Sequence, residues 1–200
     1  MHIGLIGGIG PAATDFYYRG LIDRARATEV PLACTIAHAD VREMSKNLTG
    51  GNPKRQAEIF ADLIARLKRA GADVAAVTSM GGHFCINELL PISLLPLVHG
   101  IHAVDAGIRK SGLRKIGVLG FSFKAGTDDL RESPMVDVAQ ALLGRGYKLR
   151  IYDPALNLAA LVGANKRVID TKMPHLASLL HTDLASRLRR LGPSDDLPEH

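Results

Sequence analysis

Strand and helix signals alternate along most of this 200-residue chain. Short apolar runs at His2–Ile6 and Lys115–Gly120 are each followed by a turn and then by a segment with helical spacing. The run at Val74–Val77 is followed by a polar loop and by another strand signal, Leu95–Val98, before the next helix signal. The spacing of Leu156–Val162 also predicts a helix. Parallel strands need long crossovers, which are usually helices. The alternation therefore predicts an α/β fold with parallel sheets.

The strand signals fall into two groups along the chain. Residues 1–114 hold enough strands for one lobe, whereas residues 115–191 hold two clear strand signals and a weaker third. Three strands are few for an open sheet that folds independently. We expect two Rossmann- or flavodoxin-like three-layer lobes, with the second incomplete, and a polar tail at 192–200.

Composition narrows the range of partners. The formal charge is +5, but the basic residues are scattered, and aromatic residues make up only 4%. A nucleic-acid site would need a basic stripe or stacking aromatics, so we expect no nucleic-acid partner. The chain has two cysteines, no signal-peptide pattern at its start and no apolar run of about 18 residues. These features predict a cytoplasmic protein without a membrane partner.

A glycine-rich turn follows the first strand signal, with the sequence Gly7-Gly8-Ile9-Gly10-Pro11. Backbone N–H groups can approach an anion closely there, and the start of the following helix adds a favourable field. The turn partly matches a dinucleotide-binding fingerprint, but Pro11 interrupts it and Asp40 lies about ten residues too far along. We therefore expect an anion site with no cofactor, and no residue set indicates a metal.

The N-terminal 115 residues or so resemble the aspartate/glutamate racemase family. The resemblance rests on the opening motif Ile3-Gly4-Leu5-Ile6-Gly7-Gly8-Ile9-Gly10-Pro11-Ala12-Ala13-Thr14, on Phe16-Tyr17-Tyr18, on Gly71-Ala72-Asp73 and on Pro96-Leu97-Val98. It implies an isomerase that acts on amino acids without a cofactor. In the family, two thiols face each other across the substrate Cα, where one removes a proton and the other returns one.

The family's first cysteine position is occupied here by Ser79, within Thr78-Ser79-Met80-Gly81-Gly82-His83. A serine hydroxyl needs an activating base, and His83 is the candidate; alternatively, the two side chains only satisfy each other and the loop backbone. Cys85 is either a displaced base or a buried structural cysteine, and Cys34 fits the core better. Since no cysteine follows Cys85, the second thiol is absent, which argues against racemisation.

The predicted substrate site lies where strands end, because ligands of open parallel sheets bind beyond the carboxyl ends of the strands. We expect Ser79 and His83 to be its reactive groups and a small carboxylate or amino acid to be its ligand. The predicted binding residues are Gly8, Ile9, Gly10, Thr78 and Gly81. One small ligand can touch both loops only if they lie within about 12 Å of each other.

The segment at residues 115–184 resembles a second family, the nucleotide-sugar-binding C-terminal domain of UDP-glucose/GDP-mannose dehydrogenases. The resemblance rests on the run from Lys115 to Pro134, with Lys124 and Arg131, and on Arg150-Ile151-Tyr152-Asp153-Pro154. Two cations on a loop between a strand and a helix suit a diphosphate. The resemblance implies that Lys124 contacts nucleotide-sugar phosphates; an internal salt-bridge network is the alternative.

The sequence as a whole indicates a hybrid of two families, joined at the strand signal Lys115–Gly120. The leading interpretation is a racemase-family-like, cofactor-independent protein that binds a small carboxylate or amino acid. One alternative is a nucleotide-sugar-binding module, by resemblance from an NAD-dependent dehydrogenase whose catalytic cysteine and NAD domain are absent here. The other alternative is a non-catalytic domain that only self-associates. We expect a homo-oligomer.

Overall fold

The computed structural model describes residues 1–122, 126–131, 133–158, 161–174 and 176–181. It divides into two compact units, Met1–Ser111 and a second that begins at Gly112. The first unit contains β1 (His2–Gly7), α1 (Pro11–Ala27), β2 (Ala33–His38), α2 (Val41–Thr49), α3 (Pro53–Arg69), β3 (Val74–Val77), a 3₁₀ helix (Met80–Cys85), α4 (Ile86–Leu89), β4 (Leu97–Val98) and α5 (Gly100–Ser111). The second contains β5 (Lys115–Leu119), α6 (Pro134–Gly144), β6 (Lys148–Tyr152), α7 (Gly163–Lys172), α8 (Leu176–Leu179) and β7 (Leu180–His181).

The first unit contains a parallel sheet in the order β2-β1-β3-β4. Strand β2 is added on one side of β1, and the chain then crosses over β1 to add β3 on its other side. Because crossovers between parallel strands are right-handed, this reversal puts α1 on one face and α3 on the other. The order also creates a switch point between β1 and β3, where the connections leave in opposite directions. The predicted α/β class with parallel sheets is confirmed.

The core of the first unit lies on the α3 face of the sheet. The apolar residues of α3 recur at helical spacing, and Phe60, Ile64 and Leu67 are almost fully buried against the sheet. The helix comes so close that a Cβ on Gly4 would lie 3.0 Å from Leu67 Cδ1. Helix α3 also packs against α2 through a buried polar pair, in which Asn47 Nδ2 of α2 donates to Gln56 Oε1 of α3 at 2.9 Å.

The opposite face of this sheet is less completely covered. Strand register places Ile36, Leu5, Ala76 and Val98 in one row across the four strands. Leu5 at the centre is buried, whereas Ile36 and Val98 at the two ends are 45% and 47% exposed. Helix α1 covers the middle of this face without burying any of its own residues. The stable core therefore lies on one side of the sheet.

The second unit has its own three-stranded parallel sheet in the order β5-β6-β7. Successive strands are added in one direction, so right-handed crossovers put the connecting helices on one face. That face is apolar, with Val118, Leu149 and Ile151 buried along with Leu142 of α6 and Leu176 of α8. Among the described residues, this sheet contains no reversal of direction and so no switch point.

Several local predictions need correction. Leu156–Val162 contains no α-helix in its described part, where Leu158 alone has a 3₁₀ conformation; the α-helix begins at Gly163. Helix α2 was missed, although Asp40 caps it by accepting a hydrogen bond from Arg42 N at 2.8 Å. The predicted polar tail at 192–200 lies outside the described residues. None of the helices we describe is long and apolar enough to cross a membrane.

Candidate functional site

The best-formed candidate site lies at the switch point of the first sheet. Here the turn after β1 and the loop after β3 leave the carboxyl ends of neighbouring strands. The two segments are in contact, because a Cβ on Gly82 would lie 3.3 Å from Ile9 Cδ1 and 2.8 Å from Val77 Cγ1. The structure therefore brings the predicted residues of the turn and those of the loop into one region.

Two threonine hydroxyls join the two segments. Thr78 Oγ1 lies 2.9 Å from Ile6 O and 2.9 Å from Thr14 Oγ1. Since Ile6 O can only accept, the hydroxyl of Thr78 donates to it, and Thr14 is then the donor in the bond between the two hydroxyls. Thr14 Oγ1 also lies 3.1 Å from Gly10 O, so its single hydrogen is shared between two acceptors, Thr78 Oγ1 and this carbonyl. Thr78, predicted as a binding residue, is buried and holds β3 to β1 and α1.

The turn itself is tightly enclosed on its β2 side. Gly8 has φ of +94°, a conformation that favours glycine, and a Cβ there would lie only 2.5 Å from Ala39 O. A Cβ on Gly7 would lie 2.7 Å from Thr14 Cγ2. By contrast, a Cβ on Gly10 would meet nothing closer than Ala13 Cβ at 3.6 Å. The open side of the turn is therefore the side near Gly10.

The start of α1 is electrostatically unbalanced. Its N-cap, Gly10, offers no side-chain acceptor, and Pro11 follows at the first helical position. No acidic residue lies in the first turn, in contrast to α2, whose N-terminus is capped by Asp40. The first N–H groups of a helix have no partner within the helix and carry a partial positive charge. The α1 end is thus able to accept an anion.

His83 is held by backbone groups on both sides of its ring. Its Nε2 accepts a hydrogen bond from Gly100 N at 3.0 Å, and its Nδ1 lies 2.9 Å from Ser79 O. An Nε2 that accepts leaves the proton on Nδ1, which therefore donates to the carbonyl. Burial lowers the pKa of His83, although the bond to Ser79 O opposes this. The imidazole is neutral and fixes the loop to the start of α5.

Ser79 is half-buried, and its carbonyl rather than its hydroxyl contacts His83. No hydrogen bond joins its Oγ to another group in the described part of the chain. A serine nucleophile needs a base that accepts its proton, and the Nε2 of His83 is already occupied by Gly100 N–H. The prediction that Ser79 and His83 act as reactive groups stays a prediction, and this geometry supplies no base for it.

Two further histidines, which the sequence analysis missed, lie beside this loop at the start of α5. The His99 and His102 rings are stacked with centroids 4.2 Å apart, and His83 lies 5.8 Å from His99. Burial and the two neighbouring imidazoles lower the pKa of His99. The spacing of His99 and His102 would have placed them on one turn of helix. Across the described ranges, no group of three or more His, Cys, Asp or Glu side chains is arranged to hold a metal ion.

Neither thiol has the properties of a catalytic base. Cys85 is fully buried, its Sγ lies 3.5 Å from Gly82 O, and burial together with Glu88 raises its pKa to about 12. Cys34 lies in β2 and lines an open groove of about 580 Å³ with residues from the end of α1; burial raises its pKa as well. A thiol base requires a lowered pKa and access to the ligand, which neither cysteine combines.

The corresponding position in the second unit, the loop after β5, is closed by a carboxylate. Asp153 Oδ2 accepts hydrogen bonds from Phe121 N, Ser122 N and Ser122 Oγ, each at 2.8 Å, and its Oδ1 accepts one from Ala155 N at 3.0 Å. Burial raises the pKa of this carboxyl, but the hydrogen bonds outweigh that effect and leave the pKa below its ordinary value. These N–H groups are therefore committed to Asp153.

The predicted phosphate-binding cations are only partly visible. Arg131 is exposed and forms a bidentate ion pair with Asp129, with Nε–Oδ1 at 2.9 Å and Nη2–Oδ2 at 2.8 Å. Asp129 also accepts from Arg131 N, and the side-chain bonds to Arg131 lower its pKa. Arg131 thus takes part in a local salt bridge, the alternative considered from sequence. Lys124 lies outside the described residues.

Comparison with known proteins follows the same division. The model of the Asp/Glu/Hydantoin racemase family matches residues 6–146. The model of the UDP-glucose/GDP-mannose dehydrogenase family, UDP binding domain, matches residues 117–179. The two matches overlap across β5 and α6. The fold is that of the α/β racemases, and since the first match covers well over half of the chain, the chain belongs to the Asp/Glu/hydantoin racemase family.

Solved structures and relatives agree with both matches. An aspartate racemase homologue from Pyrococcus horikoshii has a TM-score of 0.60 at 23% identity, covering 85% of this chain and 70% of its own. Glutamate racemase from Aquifex pyrophilus has a TM-score of 0.50 at 18% identity, covering 97% and 77%. GDP-mannose 6-dehydrogenase from Pseudomonas aeruginosa is 53% identical over 89 residues. That segment is 42% of this chain, and the chain spans about a fifth of the dehydrogenase.

Proposed function

We propose that the first unit binds a small carboxylate or amino acid at the switch point of its sheet and does not racemise it. The observation that carries this proposal is the contact between the turn after β1 and the loop after β3, joined by Thr14 and Thr78. The bond between Thr14 and Thr78 holds the start of α1, which has no side-chain cap, beside the loop residues Thr78 and Ser79. Membership of the racemase family supports a ligand of this class.

The carboxylate would be recognised by backbone N–H groups near Gly10 at the start of α1. An anion there gains from oriented donors and from the field of a 17-residue helix. The Ser79 hydroxyl and the N–H groups that open the 3₁₀ helix at Met80 supply further donors on the other side. His83 acts as a positioning residue, because it ties this loop to Gly100.

Racemisation would require two proton-transfer groups on opposite sides of a substrate Cα. Cys85 is buried with a raised pKa, Cys34 lies within β2, and Ser79 has no base beside it. The neutral His83 has both nitrogens engaged. These four observations support binding without isomerisation.

Ligand binding can be tested by thermal shift and calorimetry with aspartate, glutamate and simple dicarboxylates. A ligand that binds only the folded state stabilises it by about 2.7 kcal/mol at a hundredfold excess over Kd. We expect Thr14→Val to weaken binding at least tenfold, because it removes the hydroxyl that joins α1 to Thr78. Thr28→Val is the matched control: Thr28 follows the other end of α1, and its hydroxyl bonds only carbonyls of α1, such as Arg24 O at 2.8 Å, so the control removes a threonine hydroxyl that does not join α1 to Thr78.

Loss of chemistry can be tested separately by NMR of substrate in D₂O. We expect no exchange of the Cα proton of aspartate or glutamate above the buffer rate. Ser79→Cys is expected to give exchange from one face at most, since the opposing base is still absent. Exchange at the rate of an active racemase would refute the proposed lack of isomerisation and leave the binding proposal to be judged by calorimetry.

A second candidate function is recognition of a nucleotide sugar by the second unit. It is favoured by the 53% identity to GDP-mannose 6-dehydrogenase over 89 residues. For Arg131 to bind a phosphate through the Nε and Nη2 edge of its guanidinium, it must release Asp129. We expect Arg131→Ala to weaken any binding of GDP-mannose, whereas Arg145→Ala, which removes another exposed arginine on α6's C-terminal side, leaves it unchanged. Absence of binding at millimolar GDP-mannose would reject this candidate.

A further inference from the structure

At the outer edge of β5, the backbone groups of Gly117 and Leu119 have no partner among the residues that the structure describes. Arg114 O accepts from Lys148 N at 2.9 Å, and Gly120 N donates to Tyr152 O at 2.8 Å, so these even-numbered positions face β6. Backbone groups of alternate residues in a strand point to opposite edges. The N–H and C=O groups of Gly117 and Leu119 therefore point away from β6. No strand pairs with them in the ranges that the structure describes.

The side chains along this edge are unusual for an unpaired strand. Exposed edges are commonly blocked by charged residues, proline or a bulge, and the edge of β5 begins with one such residue, the exposed Lys115. The two outward-facing positions after it are not blocked. Here Leu119 is 66% exposed, and Gly117 is exposed with nothing within 4 Å of the position of a Cβ. A large apolar side chain thus lies two residues from a position with open space above it. Neither residue carries a charge that would repel another strand.

We propose that this edge pairs with the same edge of a second copy of the chain, in antiparallel orientation and centred on Val118. A twofold axis at Val118 sets Gly117 opposite Leu119 of the second copy, and Leu119 opposite the second copy's Gly117. Each such pair exchanges two N–H···O bonds, which gives four in total. Each Leu119 then covers the empty space above the other copy's Gly117.

The occupant follows from this self-complementarity. An unrelated extended peptide could form the main-chain bonds, but it would not in general put an apolar side chain opposite Gly117 and a small residue opposite Leu119. The twofold arrangement supplies both from one sequence, as a closed dimer interface does. Its area is well below the roughly 1,200 Å² of a stable complex, so the dimer is expected to be weak and concentration-dependent.

The full chain should be studied by sedimentation velocity and by amide hydrogen exchange from about 5 µM to about 500 µM, a range that brackets weak association. We expect the sedimentation coefficient to rise with concentration and the amides of Gly117 and Leu119 to become at least tenfold more protected. Leu119→Lys is expected to abolish both changes. Val162→Lys, at a residue 78% exposed and outside the sheet, is the control and should leave them intact.

Gly117→Pro provides a second route if Leu119→Lys fails to fold, because the lost N–H points outward and no bond to β6 is broken. It should weaken association by removing two of the four bonds. The proposal is overturned if the chain stays monomeric at the highest concentration, or if association persists in Leu119→Lys and Gly117→Pro. It is also overturned if the protection of the Gly117 and Leu119 amides does not change with protein concentration, since their hydrogen-bond partners then lie within the same chain.

Discussion

The loops that follow β1 and β5 occupy equivalent positions in the two units but are closed differently. After β1, the neighbouring strand offers an acid at Asp40, which turns away to cap α2 and to pair with Arg42, a bond that lowers its pKa to about 2. After β5, the equivalent acid is Asp153, which binds the loop's own N–H groups. The first loop thus remains available to an external anion, whereas the second carries an internal one.

The difference follows from topology. The first sheet reverses direction between β1 and β3, so two connections diverge and leave a crevice. The described part of the second sheet extends one way only, and its first strand is an edge. Within the described residues, no neighbouring connection holds the loop on the outer side of this edge, and Asp153 restrains it from the β6 side. The same supersecondary unit is therefore open at the end of β1 and closed by its own carboxylate at the end of β5.

The largest expected contrast concerns the glycines after the two strands. Gly8 and Gly120 both have positive φ, +94° and +81°. A Cβ on Gly8 would lie 2.5 Å from Ala39 O, whereas one on Gly120 would meet nothing within 4 Å. Gly8→Ala should therefore cost about 3 kcal/mol of unfolding free energy through strain and overlap together. Gly120→Ala should cost about 1 kcal/mol through backbone strain alone.

Chemical denaturation of the two variants measures this difference. If both variants lost the same free energy of unfolding, the turn after β1 would be no more tightly packed than the turn after β5. If Gly120→Ala were the more destabilising of the two variants, the turn after β5 would be the more tightly packed one, contrary to the structure.

The next effect concerns the two acids. Asp153→Ala leaves Phe121 N–H, Ser122 N–H and Ala155 N–H without their carboxylate and should cost about 2 kcal/mol, since the site is partly exposed and water replaces some of the bonds. Asp40→Ala removes a cap at a fully solvated site and should change stability much less. Urea unfolding monitored by the NMR signals of Ile151 and Ile64 reports each unit separately. A greater loss in Asp40→Ala would contradict the assigned roles.

A smaller effect is expected from pH. The folded first unit keeps His83 and His99 neutral, with pKa values below the ordinary 6.5, so the unfolded chain binds these protons more readily. Its free energy of unfolding should fall by about 1 kcal/mol as the pH drops from about 6.5 towards 5. The pKa of Asp153 lies below 3.8, so its contribution in the second unit is lost only below about pH 4.

Urea titrations at several pH values, monitored by the NMR signals of Ile64 and Ile151, test whether the first unit loses stability at a higher pH than the second. Replacing His83 with asparagine should flatten the response of the first unit, whereas His38→Gln, at an exposed site, should not. Loss of the second unit first, at mildly acidic pH, would show that the buried histidines do not control stability here.

The sequence was sufficient for the parts of the fold that depend on local patterns. The alternation of strands and helices and the turn at Gly7–Pro11 were predicted, because glycine and apolar periodicity act over a few residues. The segment Thr78–His83 was predicted as a loop, but it forms a 3₁₀ helix from Met80 onwards. The short helix α2 was missed because its apolar stripe has only two members, Met44 and Leu48.

Long-range partnerships were not predictable in the same way. His83 receives its second hydrogen bond from Gly100, 17 residues later, and Asp153 reaches back 31 and 32 residues to Ser122 and Phe121. The sequence shows that His83 is close to Ser79 along the chain and that Asp153 follows a strand. Only the folded register shows that backbone groups occupy both, which removes the base that Ser79 would need.

The central claim is that small carboxylates bind at the first loop and not at the second. A titration of isotope-labelled full chain with aspartate, followed by two-dimensional amide NMR, tests it most directly. We predict saturable shifts of the Gly10, Ser79 and Met80 amides, while the Phe121 and Ser122 amides stay in place because Asp153 holds them. Saturable shifts at Phe121 and Ser122 with none at Gly10 would contradict the account.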